Sequence, residues 1–318
     1  MILVAGSANL DFVVRAPHIP APGETVLGGN FRTFAGGKGA NQAIACARAG
    51  GVPTAMLLAL GRDSFAVPIE ASLRAADVDL HIVREDKLPT GTAFICVSDS
   101  AENAITVAPG ANSALRAAHL PELKGIKYLL LQLETPLETI AAYAEAAHKA
   151  GVAVVLNAAP AQALPRELLA LVDVLVVNEG ELASTSNCTG SVADCLHQMP
   201  DLPCIVVTLG GRGCCARVGG HIAAEIVLQS AFAITPVDTT AAGDTFCGVL
   251  VASLAQQHAL AAALARASAA AALACTRAGA QDSIPTCAEV DEFLRARPVD
   301  AAAQALAVSA LSKYAGFS

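Results

Sequence analysis

The stretch VDTTAAGDTF, residues 237–246, sets two carboxylates around a run of very small residues. It lies between an apolar run that reads as a strand and one that reads as a helix. A helix N-terminus presents unpaired backbone N–H groups and a partial positive charge, which favour an anion. The small residues Ala241, Ala242 and Gly243 let an anion come close to such groups. Asp244 then stands beside it, placed to take a proton from whatever attacks it. The plainer alternative is that Asp244 caps the helix, since Asp is favoured at N-caps. This segment alone does not choose between them.

Other segments carry groups of the same kind. GGKGAN, residues 36–41, opens a helical pattern, so Gly37 and its neighbours allow a ligand close to the backbone. It is not a P-loop, because the upstream Gly is missing and Gly39 stands where Ser or Thr is required. Asn41 adds an amide suited to reading hydroxyls, while a lone lysine such as Lys38 is more often a solvated charge than a ligand contact. Asn9 and Asp11 read as closing the first strand, two residues apart and on one face. A carboxylate there accepts from two vicinal hydroxyls at once, or else simply makes a turn. Gln132 and Glu134 repeat that spacing after YLLL, and Asn178-Glu179-Gly180-Glu181 ends VDVLVVN. Ligands gather at such strand ends in open α/β sheets. Gly211-Arg212-Gly213-Cys214-Cys215-Ala216 fits a dinucleotide pattern only if a helix follows, and the next residues read as a hairpin. The seven histidines show neither metal spacing nor a Ser-His-Asp arrangement.

Positioning these groups requires a large core. The 318 residues are 54% hydrophobic and 15% charged, with a net charge of −8, which argues against a nucleic-acid binder. The ten cysteines are scattered without a CxxC pair, and most lie in apolar runs as small hydrophobes. MILVAGSANLDF turns polar too soon for a secretory signal. The Ala-rich stretch 259–276 comes nearest to a membrane span but is interrupted and bounded by Arg266 and Arg277. No membrane association and a cytoplasmic location are expected. ILVAGSA, TAMLLAL, YLLLQL, AVVLNA, VLVVN and CIVVTL read as strands buried on both faces, alternating with helical patterns. The class is therefore α/β, with helices covering a parallel sheet. Residues 12–34 and 91–108 break the rhythm and read as a small separate β-sheet, a candidate lid. A further hairpin is expected at 214–228, and a helix in the tail from Pro298 onward.

In this order, AGSANLD, PAPGET with AGGKGANQA, TGTAF, LQLETP, LNAAPA, VNEGE, TLGGRG, VDTTAAGDTF and TRAGAQDSIP make the chain resemble the ribokinase-like (PfkB-type) carbohydrate kinases. The resemblance implies a three-layer α/β/α fold with a central, mostly parallel sheet and a small β-sheet lid. It assigns residues 1–297 to a kinase domain, with lid segments at 12–34 and 91–108, and leaves 298–318 as a helical tail of unassigned role. By the same resemblance Asn9, Asp11, Gly37, Asn41 and Glu134, with Lys38 beside them, match sugar-binding positions. Asn178, Thr208, Gly210, Gly213, Gly243 and Ser268 match nucleotide positions, and Glu181 an acidic residue linked to Mg²⁺. Asp238, Thr240, Ala274, Arg277, Gly279 and Ser283 match a monovalent-cation site, several through backbone carbonyls. Asp244 matches the catalytic base, and Ala241, Ala242 and Gly243 the anion hole. Ser268 departs from the pattern, standing where a larger ring can lie near adenine. Ala241 replaces the first Gly of the Gly-Ala-Gly-Asp form but stays small.

The activity so implied is phosphoryl transfer from MgATP, supported by K⁺, to the hydroxymethyl of a pentose, ribose 5-phosphate being the product if the sugar is ribose. Relatives acting on 2-deoxyribose, fructose or a nucleoside share nearly all these motifs. A silent sugar-binding regulator would be expected to carry a damaged Asp244 loop. A lid sheet leaves an edge and a face for a second copy, so a homodimer through the lid is expected.

Overall fold

Strict alternation puts Ile2 and Val4 on one face of the first strand and Leu3 and Ala5 on the other, and all four are buried. The same two-sided burial runs through the apolar strands and divides the interior into one core on each side of a central sheet. The structure, a computed structural model, describes every residue except 101, 221–223, 298–300 and 318. In chain order the first half contains β1 (Ile2–Ala5), β2 (Asn9–Ala16), β3 (Gly29–Gly36), α1 (Lys38–Ile44), β4 (Thr54–Gly61), α2 (Ala66–Ala75), β5 (Asp79–Glu85), β6 (Gly91–Ser98) and β7 (Asn103–Ala108). There follow β8 (Tyr128–Leu131), α3 (Leu137–Lys149), β9 (Ala153–Asn157), α4 (Arg166–Leu169), β10 (Val174–Asn178), α5 (Glu179–Ser186), α6 (Val192–Gln198) and β11 (Cys204–Thr208). The chain continues through β12 (Gly213–Val218), β13 (Glu225–Ser230), α7 (Ala242–Ala255), α8 (Leu260–Cys275), α9 (Cys287–Arg295) and α10 (Ala301–Ala315).

The central sheet has nine strands in the order β13-β12-β11-β10-β9-β8-β1-β4-β5. From β11 to β5 every pairing is parallel; β12 and β13 extend it antiparallel as the hairpin expected at 214–228, whose residues 221–223 lie outside the described ones. A smaller four-stranded sheet, β3-β2-β6-β7, stands apart from it. Asn9 and Asp11 require a correction. The first strand stops at Ala5, and these residues instead open β2 in the small sheet, still sharing a face. The polar alternation of DLHIVRE makes β5, an edge strand that the search for continuous apolar runs passes over.

The alanines serve close packing between helices. A Cβ on Gly248 of α7 would lie 2.5 Å from Ala45 Cβ and 2.6 Å from Gln42 O, so α7 lies directly against the backbone that continues α1. The Ala-rich stretch forms α8, and no helix among the described residues is long and apolar enough to cross a membrane. The tail expected from Pro298 has its first residues outside the described ones, and α10 buries Leu311 and Ala315 in one of the two cores. All ten cysteines are free. Burial pushes the thiols of Cys214 and Cys215 up to about 12 and that of Cys204 to about 11.

Candidate active site

Asn157, Asn178 and Thr208 are the last residues of β9, β10 and β11, so the parallel strands deliver their polar residues to one edge of the sheet. The N-termini of α1 and α7 come to the same edge. Gly37 precedes α1 with φ 91°, and a Cβ there would strike the backbone of Ala8 and Asn9 at 2.7 Å. Ala241 precedes α7 in the left-handed region at φ 58°, where a non-glycine residue is strained by about 1 kcal/mol or more.

The cap explanation for Asp244 needs correcting. Ala241 occupies the N-cap with no side-chain cap, and Asp244 is the third residue of α7, almost fully buried. Asn41 Nδ2 donates to its Oδ2 at 2.9 Å and Gln42 Nε2 to its Oδ1 at 2.9 Å. Gln42 Nε2 also donates to Asn157 Oδ1, and Gln132 Nε2 donates to Gln42 Oε1 at 2.7 Å. The carboxylate is thus fixed in place by a chain of buried amides. Among the described residues Asn41 Oδ1 is buried without a partner, one of few such atoms, and so is open to a hydroxyl donor. Ala242 N–H is shared with Thr239 O at 3.3 Å, whereas Gly243 N–H meets no acceptor among the described residues.

Beside this carboxylate lie the groups contributed by the small sheet. Asp11 sits over Gly36, where a Cβ would come within 2.1 Å of Oδ2. Burial, then the charges of Glu134 and Asp244, push its carboxyl up to about 7. Asn112 Nδ2 donates to Asn9 Oδ1 at 2.8 Å and so holds that amide. Glu134 accepts from Ser7 Oγ at 2.5 Å and from Lys38 N–H at 3.2 Å. The negative charge of Asp244, followed by those of Glu134 and Glu181, raises the Lys38 ammonium, with burial opposing. Ser7, Gln42, Asn112 and Asn157 escaped sequence reading. Gln132 was read as a ligand position but acts on Gln42. A polar residue at a core-facing helical position, as Gln42 is, was the available signal.

Two cavities meet at Thr208, Thr239 and Gly243. The larger, about 460 Å³, is mainly apolar, with Gly210, Gly213, Phe246 and Ser268 in its wall. Ser268 Oγ lies 3.8 Å from Cys214 Sγ. The smaller, about 240 Å³, is polar and presents Lys38, Asn178, Glu181 and Asp244. Asn178 caps α5 by accepting from Glu181 N–H, and its own N–H donates to Glu181 Oε2. Burial raises the Glu181 carboxyl, partly offset by that N–H. An apolar chamber with ample room for a heterocycle thus opens into a polar one that ends at a fixed carboxylate.

Behind the loop, Asp238 Oδ1 accepts from Thr240 N–H at 2.9 Å and Oδ2 from Gly279 N–H at 3.0 Å. Burial would raise this carboxyl, but the N–H donors of Gly279 and Thr240 outweigh it and leave it below its ordinary value. Ala274 lies in the last turn of α8, and its carbonyl accepts from Arg277 N–H. Ser283 is fully buried and donates to Ala280 O. Arg277 is taken up by Glu289 at 2.6 Å, so its charge does not stand free beside the loop. The donors on these segments are a carboxylate and carbonyl oxygens, a hard set that fits an alkali cation. Glu181, a carboxylate facing a polar cavity, fits a Mg²⁺ that keeps most of its waters.

The chain as a whole is similar to several known proteins. A ribokinase of Haemophilus influenzae is 38% identical over 305 residues, covering 92% of this chain and 98% of that one. A ribokinase of Schizosaccharomyces pombe is 35% identical over 309 residues, covering 91% and 96%. The solved structure of Arabidopsis thaliana ribokinase complexed with ribose and ATP superposes with a TM-score of 0.82 at 30% identity, covering 92% of this chain and 98% of that one. Residues 1–287 match the pfkB family carbohydrate kinases. With a nine-stranded sheet, a small separate sheet and a buried carboxylate where two cavities meet, the chain belongs to the pfkB family of carbohydrate kinases.

Proposed function

We propose that this protein phosphorylates D-ribose at its 5-hydroxymethyl with ATP, giving ribose 5-phosphate, and that Asp244 is the general base. The observation that carries this reading is the Asp244 carboxylate, gripped by Asn41 and Gln42 at the end of the polar cavity, beside an unpartnered Asn41 Oδ1. Asn9, Asp11, Gly37, Lys38, Asn41 and Glu134 surround the sugar. Asn178, Thr208, Gly210, Gly213, Gly243 and Ser268 receive the nucleotide, its base in the apolar chamber. The two amide bonds leave each Asp244 oxygen a free lone pair, so the carboxylate accepts the proton of the sugar's 5-hydroxyl as the hydroxyl oxygen attacks the γ-phosphorus. The bond from that phosphorus to the β,γ-bridging oxygen breaks meanwhile, and ADP leaves. The transition state is loose and the proton moves late, so alignment matters more than basicity. Gly243 N–H, at the positive end of α7, faces the charge that develops on the phosphoryl oxygens. Ala242 contributes less than sequence reading assigned it, because its N–H is already shared with Thr239.

Glu181 would hold Mg²⁺, which supplies charge neutralisation on the phosphates. Asp238, Thr240, Ala274, Arg277, Gly279 and Ser283 would hold K⁺, which stiffens the loop without touching substrate. Residues 1–297 act as the kinase body, the small sheet closes over the sugar and joins two copies into a homodimer, and the enzyme works in the cytoplasm, where ATP is supplied. The test is ADP release with MgATP and K⁺ across ribose, 2-deoxyribose, fructose and adenosine, with Asp244→Asn alongside. Ribose should turn over fastest, and the variant should stay folded while losing about 10²–10⁴ in kcat. Near-normal turnover in Asp244→Asn removes the base assignment, and a faster acceptor replaces ribose as the substrate.

A further inference from the structure

α10 follows the last residue matched to the family, yet its Tyr314 touches residues that are chain neighbours of those lining both cavities. Leu311 and Ala315 anchor it in the core, against β13 at the edge of the large sheet. Tyr314 projects beside them. Its hydroxyl donates to Glu179 Oε1 at 2.6 Å, and the Arg212 guanidinium lies 4.0 Å above its ring. Arg212 Nη1 is 4.0 Å from Glu179 Oε2, which completes a three-residue cluster. Glu179 directly follows Asn178, at the polar cavity. Arg212 sits between Gly211 and Gly213, both in the wall of the apolar one. Tyr314 therefore ties together the two turns that face the two cavities.

The turn that carries Arg212 needs such a tie. Gly210 and Gly213 hold φ values of 55° and 120°, and added Cβ atoms on Gly210 and Gly211 would touch nothing within 4 Å. A glycine turn with open space around it loses much conformational freedom on ordering. The Arg212–Glu179 pair is 54% and 41% exposed, and an exposed pair of that length contributes little by itself. The tyrosine adds a cation–π contact and a hydrogen bond to a charged acceptor, both stronger than the bare pair.

We propose that Tyr314 is a positioning residue for the nucleotide, holding the 210–213 and 178–181 turns in their binding geometry from the tail helix. The proposal rests on the reading of the two cavities as the ATP site. A turn ordered in advance lowers the ordering cost of binding and so raises affinity for ATP while leaving the sugar side alone.

The experiment titrates a non-hydrolysable ATP analogue into the full-length protein by calorimetry, for wild type, Tyr314→Ala, Tyr314→Phe and Leu306→Ala, with melting temperature and steady-state kinetics for each. Leu306 is 74% exposed on α10 and serves as the control. Tyr314→Ala should weaken the analogue about 3- to 10-fold, Tyr314→Phe less because it keeps the ring, and Leu306→Ala should match wild type. KM for ATP should follow Kd, while kcat and KM for the sugar stay unchanged. Wild-type affinity in Tyr314→Ala overturns the proposal. So does a loss in Tyr314→Ala that falls on kcat and both KM values together with a lowered melting temperature, since the helix then acts only on stability. A wild-type protein that binds no nucleotide overturns the site reading instead.

Discussion

Burial, with the neighbouring charges of Glu134 and Asp244, pushes the Asp11 carboxyl up to about 7, inside the range where an assay is run. An ionised carboxylate can accept two hydroxyls, the role proposed above for Asp11 toward the sugar; protonated, it loses part of that capacity. Sugar affinity measured by calorimetry should therefore fall as pH drops from 8 to about 6, and Asp11→Asn should bind more weakly and without this dependence. Equal wild-type affinity at both pH values would exclude Asp11 as an ionised sugar ligand. The sign for folding is opposite. Its folded value lies above the unfolded one, so the native state without sugar binds more protons between the two, and stability falls as pH rises through that window. Asp11, Asn41 and Asp244 were legible because each sits in a short run of small or polar residues at the end of an apolar run. Gln42, Asn157 and Asn112 were not, because their partners lie about a hundred residues away, and no local pattern encodes such a pairing.

The crossing of α7 against the α1 segment is what aligns the carboxylate with its amides. Even the smallest side chain at Gly248 would overlap Ala45 and the Gln42 carbonyl, so Gly248→Ala must push the helices apart. Such overpacking costs about 1–3 kcal/mol. The variant should melt earlier and lose kcat through displaced Gln42; unchanged kcat with a lowered melting temperature would show that the crossing does not set the geometry. The elements themselves were read unevenly. Buried parallel strands announce themselves as continuous apolar runs, and β1, β4, β8, β9, β10 and β11 were all found so. β5 sits at the sheet edge with a mixed face, and α6 and α9 are short, so neither length nor periodicity marked them. The residues of the Ala-rich run suggested no helix position of their own beyond a membrane span, because alanine carries little facial contrast; only the resemblance singled out Ser268 and Ala274 there, and the run forms α8 inside the kinase fold.

At the scale of the whole molecule, the small sheet leaves Phe31, Phe94, Ile105 and Val107 exposed. β3 and β7 are its free edges. Exposed apolar residues and open edges on one sheet support the homodimer proposed above. Sedimentation should give a dimer for wild type and a monomer for Ile105→Lys; a monomeric wild type would remove that reading. K⁺ should raise activity without being consumed, and equal rates in K⁺-free and K⁺-containing buffer would remove the cation from the site. The free cysteines carry a different consequence. In the native fold the thiols of Cys46, Cys204, Cys214, Cys215 and Cys247 are held protonated by burial. Unfolding returns them to the ordinary thiol value of about 8.5, where thiolates attack and cross-link. Recovery of activity after denaturation should therefore be high with a reductant present and low in air, while these five thiols in the native protein stay unmodified under the same exposure. For this chain, losing the fold even briefly under oxidising conditions becomes a chemical change that removing the denaturant does not undo.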